Sequence, residues 1–416
     1  MKFIGDFHIH SKYSRATSPS MDLDSLDNWA KIKGIKVLGS GDFTHPKWFE
    51  SIKEKLEPAE AGLLKLHNSD SPTRFILTSE ISCIYSKGGK VRKVHIVVFA
   101  PSISAVEKIN DKLNQIGNLK ADGRPILGLD AKELAKIVLD ADKDCMVVPA
   151  HAWTPWFSVF GSKSGFDSLE ECFEEYTKYI YAIETGLSSD PAMNWRLSQL
   201  DKITLISNSD AHSAPKIGRE ANVFDTELSY QGIADAIKTK DKNKFLYTIE
   251  FFPEEGKYHY DGHRLCNLSF SPSQSKKYNN ICPKCGKPLV IGVLNRVEEL
   301  ADRPEGFVPE NAIPFKNLIP LNEIIAESIG VSTASKEVIK YYNNLIKNVG
   351  SEFKILLESS REEIERESLP EIAEGIIRVR DGKVFIDPGY DGVYGKIKIF
   401  SNEENKKDFY PQKTLF

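Results

Sequence analysis

The chain has 416 residues, a formal net charge of −4 and a hydrophobic content of 41%. This length allows a large buried core and two or three domains. The slightly negative charge excludes a polycation, so contact with nucleic acid has to come from local basic surfaces or bound metal ions. No apolar run is long enough to cross a membrane, and the first residues have the pattern of a strand, not of a signal peptide. We therefore expect an intracellular, cytoplasmic protein.

The first predicted strand, residues 2–10, ends in His8-Ile9-His10. Side chains on a strand repeat every two residues, so both imidazoles point the same way and can bind one transition-metal ion. Similar apolar runs cover residues 35–42, 75–80, 93–99, 146–151 and 203–212, and each carries a metal-ligand residue in it or at its end. These ligand-type residues are Asp42, Glu80, His95 (within its strand), His151, Asp210 and His212, and Glu184 ends a further predicted strand at residues 179–185.

Amphipathic helical patterns alternate with these strands. The predicted helices cover residues 22–33, 48–66 with a break near Pro58, 103–116, 130–139, 168–178, 191–200 and 230–238. Residues 91–100 are either the hairpin partner of residues 75–85 or a new strand. About seven strand-helix units predict a parallel barrel or a doubly wound sheet. Only a closed barrel brings six strand ends together at one site, so we favour an α/β fold built on a distorted β/α barrel.

The convergence of ligand-type residues at the strand ends predicts a multinuclear metal centre. Any single histidine is more often a core or surface residue, but six at strand ends or their margins are hard to ascribe to chance: His8, His10, His45, His95, His151 and His212. Such a centre suits phosphate-ester hydrolysis. Bridging carboxylates hold ions close together, one ion lowers the pKa of a bound water, and another neutralises the phosphoryl oxygens.

The sequence changes character near residue 251. Residues 252–263 are aromatic and loop-like, residues 296–314 have the composition of a connector, and residues 321–367 are mostly helical. Residues 376–400 are predicted to form a strand, a turn at residues 380–383 and a second strand. We therefore expect a barrel domain at residues 1–250, a zinc-binding module at residues 251–300, and a mainly helical region at residues 301–416 that ends in a β-hairpin.

Three of the six cysteines lie close together in this second part of the chain. Cys282-Pro-Lys-Cys285-Gly-Lys has the spacing of a zinc knuckle, and Cys266 adds a third thiolate. Together with one histidine they predict a closed, tetrahedral and non-catalytic Zn²⁺ site. His263 is the favoured fourth ligand and His259 the alternative. The remaining cysteines are scattered and are expected to be buried thiols: Cys83, Cys145 and Cys172.

Aromatic residues crowd the segment after His151. Their rings can stack on a base turned out of its helix, or they can form a hydrophobic plug over the barrel, and the sequence leaves both open. These residues are Trp153, Trp156, Phe157 and Phe160. Several polar residues near the ligand segments are candidate phosphate contacts, although exposed surface is the default for any one of them. They are Ser162, Lys163, Ser164, Arg15, Lys216 and Arg219.

The H-x-H motif, the later glutamate, the isolated histidines and the final Asp210-Ala211-His212 resemble the polymerase and histidinol phosphatase (PHP) family of metallophosphoesterases. The resemblance implies a distorted seven-stranded barrel with a trinuclear site, and catalytic roles for Glu80, Asp210 and His212. The implied ligands are His8, His10, Glu80 and Asp210 for one ion, Glu80, His95 and His151 for a second, and Asp42 and His212 for a third. The family often has an adjacent Asp-His pair after its second strand. Here Asp42 and His45 are separated, so His45 either supports a ligand or contacts the substrate.

Longer stretches resemble a branch of this family that repairs DNA and nicks on the 5′ side of deaminated bases. They are residues 8–14, 39–42, 153–157, 160–166, 184–190 and 207–213, together with the zinc-knuckle motif. The resemblance implies a metal-dependent endonuclease acting on uracil, hypoxanthine, xanthine or abasic sites in single- or double-stranded DNA. It also implies Zn²⁺ in the cysteine module and in the barrel, with Mn²⁺ or Mg²⁺ as alternatives in the barrel, and nucleoid association in a prokaryotic cell.

Two other functions stay open. A small-molecule phosphoesterase of the histidinol-phosphatase type would use the same ligands, but it has little need of a zinc module or a long C-terminal region. A non-enzymatic DNA-binding protein with a degenerate metal site is disfavoured because the ligand set is nearly complete.

Overall fold

The computed structural model describes residues 1–401. The last part of the expected C-terminal region, residues 402–416, lies outside the described residues. The strands are β1 (Lys2–Asp6), β2 (Val37–Gly39), β3 (Leu56–Pro58), β4 (Leu64–Leu66), β5 (Arg74–Lys87), β6 (Lys90–Ala100), β7 (Ile126–Leu127), β8 (Met146–Pro149), β9 (Ala182–Glu184), β10 (Thr204–Ile206), β11 (Ala221–Asp225), β12 (Phe245–Glu250), β13 (Asp261–His263), β14 (Leu268–Phe270), β15 (Phe315–Asn317), β16 (Phe385–Asp387) and β17 (Lys396–Lys398).

The α-helices are α1 (Leu23–Lys33), α2 (Pro46–Lys55), α3 (Ile103–Leu113), α4 (Ala131–Ala141), α5 (Leu169–Phe173), α6 (Pro191–Asn194), α7 (Tyr230–Thr239), α8 (Pro272–Lys277), α9 (Val293–Leu300), α10 (Leu321–Ile329), α11 (Lys336–Asn348), α12 (Glu352–Leu357), α13 (Arg361–Glu367) and α14 (Pro370–Arg380). Short 3₁₀ helices lie at Glu174–Tyr179, Ser198–Leu200, Ala214–Lys216, Pro253–Glu255 and Arg264–Cys266. None of the helices within residues 1–401 has the length and apolar character needed to span a bilayer.

Polar side chains begin several of the predicted helices. The side chains of Asp22, Ser102, Asp130, Ser168 and Ser229 accept hydrogen bonds from backbone N–H groups in the first turns of α1, α3, α4, α5 and α7. These bonds satisfy donors that have no partner inside the helix. The local sequence therefore determines where these helices start, and the amphipathic pattern determines which face is buried.

One large sheet carries most of the strands that the structure describes. Its main path is β15-β12-β11-β1-β2-β5-β4-β3, with β6 and β7 paired to β5 and β8 paired to β6. The pairs β1–β2 and β2–β5 are parallel, whereas β5 and β6 form an antiparallel hairpin. Gly88 and Gly89 turn this hairpin at positive φ of 59° and 72°, where a Cβ would be strained. Residues 91–100 are thus the hairpin partner, and the units are not all parallel.

The expected closed barrel is not confirmed, because β9 and β10 pair only with each other within residues 1–401. Hydrogen bonds outside the strands connect this pair to its neighbours. Ala152 N donates to Glu184 O at 3.0 Å next to β8, and His10 N donates to Ala211 O at 3.0 Å next to β1. The side chain of Glu250 in β12 accepts from Thr185 Oγ1 at 2.9 Å. The fold is therefore α/β, with an incompletely paired ring of strands around the site.

The hydrophobic core continues from this ring into the C-terminal helices. Leu26, Phe75 and Ile183 of the first part belong to the same buried cluster as Ile324 and Ile376. A smaller core lies under α7 and includes Phe7, Phe99, Phe224, Ile233 and Phe245. The helical region is thus packed against the strands that carry the site. The scattered cysteines Cys83, Cys145 and Cys172 are buried free thiols, as predicted.

Some predicted elements were wrong. The predicted helix at residues 48–66 ends at Lys55 and is followed by the short antiparallel strands β3 and β4. The predicted strand from residue 376 is the end of α14, because Ile372, Ile376 and Val379 are buried at helical spacing. The predicted turn at residues 380–383 is present, with Gly382 at a φ of 68°, but it follows a helix instead of joining two strands. The paired strands are β16 and β17. Within the predicted connector at residues 296–314, the first residues belong to α9.

Candidate metal centre

Three of the ligand-type residues lie just after strands, in strained backbone conformations, whereas Glu80 and His95 lie within β5 and β6. Asp42, His151 and Asp210 follow β2, β8 and β10 at positive φ of 44°, 29° and 47°. Residues with a Cβ avoid this region unless the surrounding structure enforces it, and such strain is concentrated at functional sites. Each turn points a polar side chain back over the ends of the strands.

Four of these side chains form one group that is placed to share a metal ion. His8, His10, Glu80 and Asp210 each bring a ligand atom within 4.8 Å of the others. Asp210 Oδ1 lies 2.9 Å from His10 Nε2 and 3.6 Å from His8 Nε2. Glu80 Oε2 lies 3.3 Å from His10 Nε2 and 3.5 Å from His8 Nε2. Two imidazoles and two carboxylates are donors that suit Zn²⁺ or Mn²⁺.

A second group shares Glu80 with the first. Glu80 Oε1 lies 2.7 Å from His95 Nδ1 and 3.0 Å from His151 Nε2, and the two imidazole nitrogens are 3.2 Å apart. All three residues are buried. Glu80 thus presents one oxygen to each group, which is the arrangement of a carboxylate that bridges two ions.

The two nitrogens of His8 show that this site suits a metal ion. His8 Nδ1 lies 2.9 Å from Glu184 Oε2, which orients the ring. His8 Nε2 is buried and has no hydrogen-bond partner within the described residues. An unpartnered buried imidazole nitrogen among carboxylates, with its other nitrogen bound to a carboxylate, is the geometry of a metal ligand. Asn208 Nδ2 in turn donates to Glu184 Oε1 at 2.8 Å.

Electrostatic interactions keep the carboxylates of the site ionised. Burial raises the pKa of Glu80, but His95, Arg124 and His8 outweigh it and hold this pKa well below its usual range. Burial likewise opposes ionisation of Asp210, and His8 and His10 lower its pKa nonetheless. Burial lowers the pKa of His95 to about 4, which favours the neutral ring that can bind a metal ion.

The third predicted ligand set, Asp42 and His212, stays a prediction. Among residues 1–401, neither side chain belongs to a group of three or more residues placed to share an ion. Asp42 Oδ2 accepts from Ser11 N, Ser11 Oγ and Ser14 Oγ at 2.6, 2.7 and 2.8 Å, and Asp42 Oδ1 lies 3.1 Å from His10 Nδ1. Asp42 therefore orients His10. The His212 ring lies 4.5 Å from the His10 ring, centroid to centroid. His45 stacks on Tyr13 with ring centroids 4.4 Å apart. Its backbone N donates to Asp42 O at 2.9 Å, and its Nδ1 has no hydrogen-bond partner among the described residues.

Arg124 is a site residue that the sequence analysis missed. Its Nη1 lies 2.9 Å from Glu80 Oε2, and its side chain is 27% exposed. A Cβ on the preceding Gly123 would lie 2.2 Å from Asp42 Oδ2, so only glycine allows this segment so close to the ligands. No periodic pattern marks residues 122–125. Glu184, in contrast, could be recognised in the sequence as a ligand-type residue, because it lies at the end of a predicted strand.

The predicted DNA contacts divide into exposed and buried residues. The expectation that Trp153 stacks on a base is wrong, because the ring is 1% exposed and Nε1 donates to Asn194 Oδ1 at 2.8 Å. Phe160 is buried against it, so these two rings form the hydrophobic plug. Ser164 is also buried, and its hydroxyl donates to Lys93 O at 3.2 Å, so it is not available to phosphate.

The other predicted contacts lie nearer the surface. Trp156 is 50% exposed, and Lys93 Nζ lies 4.8 Å from its ring centroid. Phe157 packs against the His95 ring at 4.7 Å, which places this segment at the edge of the second ligand group. The remaining candidates are exposed or half-buried: Arg15, Ser162, Lys163 and Arg219.

The three clustered cysteines lie next to His263, the histidine predicted as the favoured fourth ligand. His263, Cys266, Cys282 and Cys285 form a third group of ligand atoms within 4.8 Å of one another. Cys282 is buried, and the Gly286 amide at a φ of 74° donates to Cys282 O at 2.8 Å, which closes the turn of the knuckle. His259 is buried outside this group, and burial lowers its pKa to about 4. Three thiols and one imidazole suit a closed tetrahedral Zn²⁺ site.

Known proteins are similar to this chain over part or all of its length. Residues 320–383 match the family model of the MJ0043 C-terminal domain. MJ0043 of Methanocaldococcus jannaschii is 35% identical over 257 residues, which are 60% of this chain and only 31% of that protein.

Two crystal structures match almost completely. The lesion-specific endonuclease PfuEndoQ from Pyrococcus furiosus is 31% identical, with a TM-score of 0.86 and coverage of 98% of each chain. Endonuclease Q in complex with a 27-mer duplex substrate with an abasic lesion at the active site is also 31% identical, with a TM-score of 0.84 and coverage of 99% of this chain and 100% of that one. This identity over the whole of both chains shows that the chain belongs to the endonuclease Q family.

Proposed function

We propose that this protein is a metal-dependent DNA repair endonuclease that hydrolyses the phosphodiester on the 5′ side of a deaminated base or an abasic site. The deaminated bases are uracil, hypoxanthine and xanthine, and the products carry 3′-hydroxyl and 5′-phosphate ends. The observation that carries the proposal is the end-to-end similarity to endonuclease Q, which includes the zinc module and the helical region as well as the phosphoesterase site.

The ligand groups fit a catalytic centre in which Glu80 is shared by two ions. We propose Zn²⁺, or Mn²⁺ or Mg²⁺, for this centre and Zn²⁺ for the cysteine site. Bound ions would supply positive charge for the phosphoryl oxygens and would lower the pKa of a water. The residues of the chain hold the ligands in place. Glu184 orients His8 and Asp42 orients His10, in each case through the Nδ1 atom of the histidine. The left-handed backbone at Asp210 directs its carboxylate toward the same two histidines. His212, next to His10, is proposed to contact the scissile phosphate.

Arg124 is proposed to bind a phosphoryl oxygen during the reaction. Its guanidinium is planar, permanently charged and held at the edge of the centre by Glu80. Because Glu80 also faces both ligand groups, ions bound there would compete with Arg124 for this carboxylate. The guanidinium would then be available to an anionic substrate, and charged donors of this kind stabilise the transition state of phosphoryl transfer.

Lesion selection is proposed to depend on extrusion of the damaged nucleotide. His8, His10 and Glu80 are buried and only Asp210 of their group is partly exposed, so a phosphodiester in an undistorted duplex cannot reach these ligands easily. Turning a nucleotide out costs a few kcal/mol, and less when the base is mispaired. Stacking on an exposed ring such as Trp156 returns about 1–3 kcal/mol. A mispaired deaminated base is therefore extruded more readily than a normal one.

The remaining expectations about architecture and location are part of this proposal. β1, β2, β5, β6, β8, β9 and β10 surround the ligands and are proposed to act as the distorted seven-stranded barrel, with the gaps in pairing bridged by loop hydrogen bonds. The domains are proposed to span residues 1–250, 251–300 and 301–416. We also propose that the protein works in the cytoplasm on chromosomal DNA and is associated with the nucleoid in a prokaryotic cell.

End-labelled duplexes test the function directly. The protein is incubated with Mn²⁺, Zn²⁺ or Mg²⁺ and with duplexes that differ only in one central uracil, hypoxanthine, abasic site or normal base. The expected result is one nick 5′ to the lesion and none in the undamaged duplex. Histidinol phosphate serves as the substrate for the alternative phosphoesterase. Equal cutting of damaged and undamaged DNA, or hydrolysis of the small phosphomonoester alone, would contradict the proposal.

A further inference from the structure

Five neighbouring residues form an exposed surface that the metal centre does not use. Lys257 and Tyr258 lie in the loop after β12, Arg264 and Leu265 in the 3₁₀ turn before Cys266, and Tyr394 between β16 and β17. Leu265 is 83% exposed, Tyr394 68% and Tyr258 40%. We call these five residues the aromatic-basic patch. Two phenol rings and a leucine side chain so exposed are unusual for a surface without a partner.

Backbone hydrogen bonds fix the three segments of the patch to one another. Gly392 N donates to Lys257 O at 2.8 Å, and Gly395 N donates to Glu255 O at 3.1 Å. Arg264 N donates to Asp391 Oδ2 at 2.6 Å. The turn that carries Leu265 lies between two members of the cysteine-histidine group, His263 and Cys266. The rings are therefore presented on a rigid base, so little conformational entropy is lost when a ligand binds.

The patch belongs to a basic part of the chain. From residue 259 to residue 292 there are five Lys or Arg residues and one acidic residue, Asp261, which is buried and accepts from Gly292 N at 2.7 Å. Lys257 Nζ lies 5.7 Å from the Tyr258 ring and 5.6 Å from the Tyr394 ring. Neither Lys257 nor Arg264 makes an ion pair with its side chain in the part of the chain that the structure describes. These charges are free to meet an anionic ligand.

A cavity of about 570 Å³ adjoins the patch and is lined by Lys257, Tyr258 and Tyr394. Its lining also includes Pro155 and Ser188, from the loops that follow the site residues His151 and Glu184. The cavity lining also includes Glu255, Glu323 and Arg219, and burial raises the pKa of Glu255 to about 7. Carboxyl groups repel phosphate but accept hydrogen bonds from base N–H groups. A nucleic acid on this surface would therefore turn its bases toward the carboxyl groups and its phosphates toward the cations Lys257, Arg264 and Arg219.

We propose that the aromatic-basic patch binds unpaired nucleotides of the DNA next to the cut site. Bases stack on Tyr258 and Tyr394, and phosphates lie against Lys257 and Arg264. Every base offers a flat π face and every nucleotide a phosphate, so such a surface holds single-stranded DNA without sequence preference. This inference rests on the proposed function and adds a second DNA contact, away from the metal ions, that keeps the duplex open beside the lesion.

Binding without catalysis tests the patch. The full chain is titrated in EDTA concentrations that spare the cysteine-bound zinc, and the anisotropy of a labelled 12-nucleotide oligothymidine is compared with that of a blunt duplex of equal length. We expect tighter binding of the single strand and a loss of about tenfold for each of Tyr258→Ala and Tyr394→Ala. Lys257→Gln should reduce the dependence of affinity on salt, because one phosphate contact is lost.

Tyr278→Ala is the matched control, since Tyr278 is a 47% exposed tyrosine of the zinc module outside the patch. It should leave affinity unchanged, and the zinc content of every variant should equal that of the parent.

Unchanged affinity in the Tyr258→Ala/Tyr394→Ala double variant would overturn the proposal. The proposal would also be overturned if the parent were a dimer and this variant a monomer, because the surface would then bind a second copy of the chain. If the parent binds single strands through these tyrosines but nicks no lesion, the patch stands and the proposed function fails. If the parent nicks lesions normally but its binding of single strands does not depend on these tyrosines, the proposed function stands and the patch fails.

Discussion

The two ligand clusters of this chain are built in opposite ways. The centre around Glu80 collects His8, His95, His151 and Asp210 from strands far apart in sequence, and oriented neighbours such as Glu184 and Asn208 hold them. The cysteine site takes all its ligands from the stretch between His263 and Cys285, where the strands and helices are no longer than six residues.

This difference predicts what each site does for the protein. The core around the ring of strands is hydrophobic and continuous, so the fold there does not depend on a metal ion. Its ligands are placed by the fold, and open coordination serves chemistry. The cysteine site has few buried apolar residues nearby, so we expect a bound ion to supply folding energy there. Removal of a ligand should therefore cost activity in the first site and structure in the second.

The largest effect is expected for Asp210→Asn. Asn keeps the shape of Asp and tolerates the left-handed backbone at φ 47°, so the substitution removes charge and little else. We expect lesion nicking to fall by more than about 100-fold, since the loss of residues that merely support ligands already costs 10–100-fold. Circular dichroism and the melting temperature should hardly change. Full activity in this variant would show that Asp210 is not a ligand in the catalytic centre.

Cys282→Ser is the corresponding test of the cysteine site. Cys282 is buried in the knuckle, and serine is a poor zinc ligand, so one zinc per chain should be lost. Residues after Phe251 should then become sensitive to protease, while the metal content of the first centre stays the same. Cys145→Ala, at a buried thiol outside the cluster, is the control and should keep its zinc. A variant with unchanged zinc would make these cysteines ordinary thiols.

Arg124→Met tests whether the guanidinium serves the reaction or only neutralises Glu80. If Arg124 binds a phosphoryl oxygen, nicking should fall by roughly 100-fold, as for the loss of other charged or oriented donors. Metal affinity should stay the same or increase, because a competing cation has left Glu80. Arg124→Lys should restore part of the activity. Equal loss of activity and metal binding in both variants would assign Arg124 a purely structural role.

Glu184→Gln should have a smaller effect. The carboxylate faces three donors, on His8, Asn208 and the backbone of His151, and an amide must turn its NH₂ group toward one of them. His8 would then be oriented less well, so we expect about a tenfold loss in metal affinity, measured by competition with a chelator. Thr185→Ser, at the next residue, keeps the hydroxyl bonded to Glu250 and should change nothing. Unchanged affinity in Glu184→Gln would mean that His8 needs no such support.

Sequence patterns were most informative where chemistry and local structure coincide. His8 and His10, the strand-end acids and the cysteine knuckle could be predicted because ligand types recur at fixed positions in apolar runs. The helix α14 was mistaken for a strand because Ile376, Ile377 and Val379 are β-branched, whereas burial at Ile372, Ile376 and Val379 shows the helical period. In this segment the burial of one helical face outweighs the preference of β-branched residues for strands.

Residues whose role depends on a distant partner could not be predicted. Arg124 has no pattern of its own and becomes important only through Glu80. For Trp153 the sequence left base stacking and a buried plug both open, and its indole N–H pairs with Asn194 in α6 while its ring lies in the core. Asp42 lies after a predicted strand, but no sequence pattern predicted that its Oδ2 accepts from Ser11 and Ser14 or that its Oδ1 faces His10.

The smallest effect is expected for Trp156→Ala, and it separates recognition from chemistry. Trp156 is half exposed beside the second ligand group, whereas Trp153, three residues earlier, is buried. If Trp156 stacks on an extruded nucleotide, alanine should weaken nicking of a uracil duplex by about tenfold, within the 1–3 kcal/mol that stacking contributes. The metal content should not change, and hydrolysis of bis(4-nitrophenyl) phosphate, which needs no extrusion, should be unaffected. Trp156→Phe keeps a flat ring and should retain most of the activity. If alanine slows both substrates equally, Trp156 supports the site and does not bind the lesion.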